Sequence, residues 1–229
     1  TYINQLDEKE NLMEEYIKGV NQQIFSQKIR FKKDDGSDYE DWIEIRLGDF
    51  SELKNGFAFK STNYVENGKY IVMTIKNVQQ GELSFKNIST IDNLPNNIKK
   101  HQILKKGDIL ISMTGDCGRV GRVEQDNLLL NQRVGLIEIK REINDLFLFY
   151  SLNTSNFHNA MISSGQGNAH DNLSKGSIEN YKFNIPKNKE EQEKIANFLQ
   201  SLNQELLNIR EEKELTKEFK KGLLQQMFV

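Results

Sequence analysis

The sequence predicts an α+β fold, one mixed α/β domain flanked by two long helices that pair as an antiparallel coiled coil. Three observations predict it. Apolar residues at both ends recur in alternating steps of three and four, the seam of a coiled coil. The middle of the chain carries short alternating or apolar runs punctuated by Gly, Asn and Asp, the pattern of strands joined by irregular loops. Finally, residues 12–25 return as residues 215–228, at a constant offset of 203 and with seven of fourteen positions identical. Both copies keep Lys-Gly (Lys18-Gly19 and Lys221-Gly222) and a Gln-Gln pair followed by one apolar residue and Phe. Solenoid repeats recur every few tens of residues. This repeat instead places one helical module on each side of a single intervening domain.

The first helix occupies residues 1–30. Ile3, Leu6, Met13, Ile17, Val20 and Ile24 form its stripe, with Glu10 in one slot, and it should end near Gln27–Arg30. Residues 31–41 read as a polar linker. The middle domain runs over 42–186. Trp42 leads into residues 43–47, which alternate like a strand. Further strand candidates are 69–75, 108–113, 118–123, 128–139 and 181–185. Residues 145–162, rich in Leu, Phe and Tyr, read as one or two short helices on the sheet. Pro186 ends the last strand.

The distal helix occupies 187–229. Asn188 with Glu191 three residues on is a capping-box start, and Glu190, Glu191 and Glu193 suit the positive end of the helix dipole. Ile195, Leu199, Leu202, Leu206 and Ile209 keep heptad spacing before the register slips to Leu215, Phe219 and Leu223. No proline interrupts residues 189–228, so the helix would span roughly 60 Å. A helix this long, and polar on its outer face, needs a partner to bury its stripe. The N-terminal helix is the candidate.

The chain has 229 residues, 37% of them apolar and 28% charged, as long exposed helices would produce. A net charge of −2 does not announce a nucleic-acid binder. The charge is uneven, however. Residues 43–186 carry 17 Lys/Arg against 15 Asp/Glu, a net of +2, whereas residues 1–42 carry 6 against 10, a net of −4. Cys117 is the only cysteine, which rules out a disulfide framework and a thiolate metal cluster and fits a reducing compartment. No apolar run approaches the ~18 residues of a membrane span, and no signal peptide is visible, so the expected location is cytoplasmic. The chain opens at Thr1, already inside helical pattern, which reads as a fragment or a processed chain.

One combination is distinctive. A helix precedes Phe-Lys-Lys-Asp-Asp-Gly-Ser-Asp-Tyr-Glu-Asp-Trp (31–42) and an α+β domain. Asn184-Ile185-Pro186 and Glu191-Gln192-Glu193-Lys194-Ile195-Ala196-Asn197-Phe198-Leu199 follow, and a long helix closes on Lys221-Gly222-Leu223-Leu224-Gln225-Gln226-Met227-Phe228. Over its whole length the chain resembles the C-terminal half of a specificity (S) subunit of type I restriction–modification systems. The resemblance implies a target-recognition domain at 42–186 that reads one half of a bipartite site in double-stranded DNA. It implies that the flanking helices act as a ruler, that methyltransferase (modification) subunits dock on them, and that a restriction subunit joins the full complex. It implies a non-catalytic subunit with no cofactor. A natural half-subunit would act as a homodimer; a piece of a longer protein would have its second recognition domain elsewhere in that chain. The alternative from another class is a coiled-coil adaptor that does not bind DNA.

Candidate DNA-binding residues follow from side-chain chemistry. Asn55-Gly56-Phe57-Ala58-Phe59-Lys60-Ser61-Thr62-Asn63 resembles a segment found early in such recognition domains. Lys60, Ser61 and Thr62 are phosphate-binding types, and the two phenylalanines read as core or as base-stacking platforms. Lys76 and Asn77 directly follow a strand, where a loop would aim them at DNA, and Asn pairs with adenine. Arg119 and Arg122 on a Gly-rich turn are either guanine or phosphate readers or ordinary surface arginines. Asn131-Gln132-Arg133 interrupts an apolar strand, so Gln132 and Arg133 either join a buried hydrogen-bonded corner or face a groove. Gln166, Asn168 and His170 lie in a polar loop that either reads base edges or is merely solvated. Gly115, Gly118 and Gly121 do not make a mononucleotide cradle, and Cys117 has no base at a recognisable spacing, so both read as turn structure. On the helices, Gly19, Leu202, Leu206 and Gly222 are candidates for helix packing or partner docking, because an interior Gly costs about 1 kcal/mol relative to Ala.

Overall fold

In the computed structural model residues 2–165 and 172–227 are described. The elements in chain order are α1 (Tyr2–Phe25), β1 (Ile43–Arg46), β2 (Ser51–Asn55), β3 (Tyr70–Met73), β4 (Ser89–Ile91), β5 (Ile109–Ser112) and β6 (Val120–Arg122). They continue with β7 (Leu128–Leu130), β8 (Val134–Ile139), α2 (Asp145–Leu152), α3 (Ser155–Gly165), α4 (Lys175–Glu179), β9 (Lys182–Ile185) and α5 (Lys189–Met227). The chain forms two units, Thr1–Tyr39 with Glu193–Val229, and Glu40–Gln192. The α+β class is as the sequence predicts.

In the helical unit, Leu6 and Ile24 of α1 are buried, as are Ile195, Ala196, Leu199, Leu206 and Ile209 of α5. Leu202 is half-buried. The helices run antiparallel, because partner numbers fall along α5 as they rise along α1. Asp7 meets Lys213 at 3.1 Å, Glu14 meets Arg210 at 2.7 Å, and beyond the helix Phe31 packs edge-on against Phe198 with centroids 5.6 Å apart. Lys194 then holds Asp34 at 2.6 Å and lies over the Tyr39 ring. Helix α1 stops at Phe25, where Gln27 turns into the left-handed region at φ 58°.

Glu10, the charged slot in the apolar stripe, is neutralised there. It accepts from Arg210 at 2.9 Å and pairs with Lys213. These contacts hold its carboxyl below the usual range, the Lys213 hydrogen bond contributing most.

Near the end of α5, Leu215, Phe219 and Leu223 stand 59%, 68% and 46% exposed. Gly19 and Gly222 are not sites of close helix packing within this chain, since a Cβ added at either would meet nothing within 4 Å.

The second unit is closed at its own ends. β1 pairs antiparallel with β9 in the register Ile43↔Ile185 to Arg46↔Lys182. The Trp42 indole donates to the fully buried carboxylate of Glu191 at 3.0 Å. Gln192 accepts from the Asn144 amide at 3.0 Å and donates to the Pro186 carbonyl at 2.9 Å. At the start of α5, Asn188 accepts from the Glu190 amide at 2.8 Å, as expected of a cap.

Between these ends lie two sheets. The first has the order β2-β8-β5-β6 and is antiparallel throughout. The second has the order β4-β3-β7, with β3 and β7 parallel. Met73, Leu110, Leu128, Leu130, Val134 and Leu136 belong to one buried cluster that joins them. The single expected strand over 128–139 is two strands. The turn at 131–133 separates β7 in one sheet from β8 in the other. The residues expected to be one or two helices form α2 and α3, and Asn144 caps α2 through the Phe147 amide at 2.9 Å.

Two outcomes test this packing. Trp42→Phe removes the donor to a buried carboxylate and should lower stability by ~1–3 kcal/mol, read as a shift in the urea midpoint. A carboxyl whose folded pKa is depressed stabilises the fold above its unfolded pKa, and that stability is lost as pH falls through the folded value. Melting of the helical unit should therefore steepen below the usual carboxylate range, and Glu10→Gln should flatten that acid limb. An unchanged limb would show that the pair contributes nothing.

Candidate nucleic-acid interface

Strand direction gathers one set of loops at one end of the second unit. β2 ends where β8 begins, at Asn55↔Gly135, and β5 ends there too, at Ser112↔Val134. In the other sheet β3 and β7 finish side by side, at Met73↔Leu130. The loops beyond these ends are tied to one another. The Met113 amide donates to the Arg133 carbonyl at 3.1 Å, Asn131 to Met73 at 3.2 Å, and Gln132 to Phe57 at 2.9 Å. Asn172 bridges to Thr114. His101 and Gln102 both reach the Asn55 carbonyl, at 3.2 and 3.3 Å. One rim thus collects residues 55–57, 74–76, 99–102, 113–115, 131–133 and 172.

Gly56 makes the closest of these approaches possible. A Cβ there would lie 2.1 Å from the Asn131 carbonyl oxygen and 2.6 Å from that of Leu130. Phe57 and Phe59, half-buried, pack against each other at 4.9 Å, so they support the segment more than they offer a stacking face.

The electrostatics of this end differ from those of the sheet. Around β2 and β8 the lysines are neutralised. Glu52 meets Lys54 at 2.7 Å and Lys175 at 3.1 Å, and these bonds take its carboxyl down to about 2. Glu138 meets Lys54 at 3.7 Å and also pairs with Lys140, which holds its carboxyl low. Lys60, Lys76, Lys99, Lys100 and Arg133 are exposed, and among the described residues none is paired with a carboxylate. Lys76, Lys99, Lys100 and Arg133 are thus four unneutralised cations on the rim loops, an arrangement suited to a polyanion, and Lys60 adds a fifth on the turn that follows Phe59.

The residues expected from sequence fall into three groups. Lys60, Ser61 and Thr62 are exposed on a 3-10 turn that follows the Phe57–Phe59 segment. Lys76, Gln132 and Arg133 are exposed on the rim, and Arg133 sits on a turn whose amide bonds the Asn131 side chain at 3.3 Å.

Three others are corrected. Asn77 is fully buried. Its side chain accepts from the Thr74 amide and hydroxyl at 3.0 and 2.7 Å and donates to Ser84 at 3.0 Å, so no edge is left for a base. Arg122 is clamped by Glu124 at 2.6 Å and Asp145 at 3.0 Å, at the opposite end of β6. Arg119 is turned inward, donating to Ile75 at 2.8 Å and Gln79 at 3.2 Å.

Gln166, Asn168 and His170 lie outside the described residues. Asn172 closes the polar loop that the sequence singled out, whereas Lys99, Lys100 and Thr114 were not among the expected contacts, because only strand pairing brings them to the rim and no local motif marks them. Cys117 is buried, and Gly115 and Gly118 take positive φ in the β5–β6 connection, as turn structure requires.

A family model described as the type I restriction modification DNA specificity domain matches residues 39–217. The type I restriction enzyme MjaVIII specificity subunit of Methanocaldococcus jannaschii is 26% identical over 234 residues, which cover 97% of this chain and 55% of that protein. Among solved structures, the type I restriction–modification S subunit from M. genitalium has a TM-score of 0.67 at 17% identity, over 97% of this chain and 55% of its own. The HsdS subunit from Thermoanaerobacter tengcongensis has a TM-score of 0.56 at 15% identity, over 98% and 53%. These likenesses show the fold. The chain spans about half the length of the relatives it matches.

Gly56→Ala should lower stability by ~1–3 kcal/mol or more through overpacking against the 131–133 turn. The same substitution at Gly36, which has a positive φ but open space, should cost only the backbone strain of that turn. Equal urea midpoints for the two variants would show that the 131–133 turn yields freely.

Proposed function

Because the chain belongs to the type I restriction modification DNA specificity family, we propose that its second unit reads one half of a bipartite site in double-stranded DNA, through the rim. The observation that carries this is the gathering of four unneutralised cations, Lys76, Lys99, Lys100 and Arg133, on rim loops that also hold amide and hydroxyl side chains. Lys60, Lys76, Lys99 and Lys100, with Ser61 and Thr62, would hold phosphates and release their counterions. Arg133 and Gln132, on the short turn between the two sheets, and Asn172 would reach base edges, Arg toward guanine and the amides toward adenine. Gln166, Asn168 and His170 fall between Gly165 and Asn172 in the chain and complete the candidate set.

The helical unit would dock methyltransferase subunits, with a restriction subunit joining the full complex. The repeat supports this. Leu12 and Tyr16 on α1 and their counterparts Leu215 and Phe219 on α5 are all more than half exposed. A similar pair of apolar side chains, Leu with Tyr or Phe, is thus offered twice, beside the same Lys-Gly. A bipartite site needs a second reading unit, supplied by a second copy in a homodimer or by the rest of a longer protein. The chain itself would supply no catalytic group and hold no cofactor. It would work in the cytoplasm, beside the DNA it reads. No helix among the described residues is long and apolar enough to cross a membrane.

The test is binding of a randomised duplex pool by the full chain, alone and assembled with methyltransferase subunits, over a range of salt. The log of affinity should fall against log salt by about 0.9 per phosphate contact. Lys60→Ala and Lys76→Ala should each flatten that slope by about one unit across all sequences, and Arg133→Ala should cost ~1–3 kcal/mol at one base position. Affinity independent of salt, or no sequence enrichment by the assembled protein, would favour the coiled-coil adaptor.

A further inference from the structure

Arg119 precedes β6, and its side chain runs under the loop that follows β3. Its guanidinium bonds the loop after β3 at two points and lies beside the turn after β5. Nη2 donates to the Ile75 carbonyl at 2.8 Å and Nη1 to Gln79 Oε1 at 3.2 Å, while Nε lies 3.5 Å from the Asp116 carboxylate. The Arg119 backbone amide is fixed too, donating to Ser112 Oγ at 3.0 Å. Its side chain is only 16% exposed.

The tie continues outward. Gln79 uses its amide nitrogen to donate to the Lys76 carbonyl at 2.7 Å. On the other side of Lys76, the buried Asn77 closes the loop onto Thr74 and Ser84. Lys76 itself is exposed and has no carboxylate partner among the described residues. A side chain free to bind is therefore mounted on a backbone held at both shoulders, and Arg119 and Gln79 form one shoulder. A planar fork suits this use, because its donors leave in fixed directions and little freedom is lost per bond formed.

We propose that Arg119 is a positioning residue for sequence discrimination. It locks the 74–79 loop against the 113–116 turn, so that Lys76 and the polar groups of the neighbouring turn meet the duplex in one fixed arrangement. Arg119 does not touch the nucleic acid. The proposal rests on the DNA reading of the rim, and it makes Arg119 set how sharply bases are told apart while leaving the number of phosphate contacts unchanged.

The experiment has two arms on the full chain, with Arg119→Met, Arg119→Lys, Gln79→Leu and Lys76→Ala. The first arm is hydrogen exchange without DNA. Amides of 74–79 should exchange roughly tenfold faster in Arg119→Met and Gln79→Leu, the scale of one lost hydrogen bond to a charged group. Amides of β1 and β9 should be unchanged, which separates a local tie from a general loss of stability.

The second arm is the randomised duplex pool with a salt series. Arg119→Met and Gln79→Leu should keep the wild-type salt slope, while preference at one or two base positions drops roughly tenfold. Arg119→Lys should resemble Arg119→Met, because it keeps the charge and loses the fork. Lys76→Ala should instead flatten the slope by about one unit.

A slope lowered by about one in Arg119→Met and restored in Arg119→Lys would overturn the proposal, since Arg119 would then be a phosphate contact. Unchanged exchange at 74–79 would overturn it as well. If the wild-type chain binds no duplex with salt dependence, the DNA reading fails, and the exchange arm still decides whether Arg119 holds the loop.

Discussion

The pairing of β1 with β9 is the constraint on which the middle unit depends. It sets Ile43 beside Ile185 and Arg46 beside Lys182, so the two ends of the unit leave from the same place. Every residue between them is then a closed excursion of the chain. The Trp42 indole on the buried Glu191 carboxylate, and Gln192 between Asn144 and Pro186, seal those ends with directed hydrogen bonds. Bonds of this kind are expensive to leave half made. A unit closed in this way can vary its loops without disturbing where its ends emerge, which suits a domain whose task is to present different side chains on one frame.

The frame also decides which charges remain available. Glu52 and Glu138 neutralise Lys54, Lys140 and Lys175 on the sheet face, and Arg122 is held by Glu124 and Asp145. What is left on the rim, among the described residues, is a set of lysines and one arginine that no carboxylate pairs with. A net charge close to zero is thus compatible with a strongly basic end, because the compensating acids are spent elsewhere. The same reasoning separates the two arginines of the Gly-rich turn from the one at 133. Fixed partners hold Arg119 and Arg122 inward against the cost of desolvating them, whereas Arg133 sits on a two-sheet crossover with no carboxylate partner among the described residues.

In the helical unit the stripe carries a charge where a hydrophobe is expected, and the partner helix supplies the answering cations. Glu10 with Arg210 and Lys213 specifies one register for the antiparallel pair, since a shift along the seam would leave a carboxylate against apolar side chains. The repeated apolar residues Leu215 and Phe219 of α5 are exposed, as are their counterparts Leu12 and Tyr16 on α1.

The sequence by itself determined the helices, their stripes, the N-cap at Asn188, the repeat and most strands. Each of these is a local or periodic signal that survives without knowledge of the partner. It also marked Lys60 as a phosphate-binding type, Lys76 as a side chain just after a strand, and Gln132 and Arg133 as polar interruptions of an apolar run. It missed β2, β4 and α4, whose short runs have no clear period, and it read residues 128–139 as one strand although Asn131–Arg133 carries the chain from one sheet to the other. Only the tertiary structure decided that Asn77 turns inward to close its loop, that Arg122 finds Asp145 from a distant helix, and that Lys99, Lys100, Thr114 and Asn172 arrive at the same rim. The physical reason is the same in each case. Strand pairing between residues far apart in sequence sets which loops are neighbours, and those neighbours decide whether a polar side chain is satisfied internally or left free to bind.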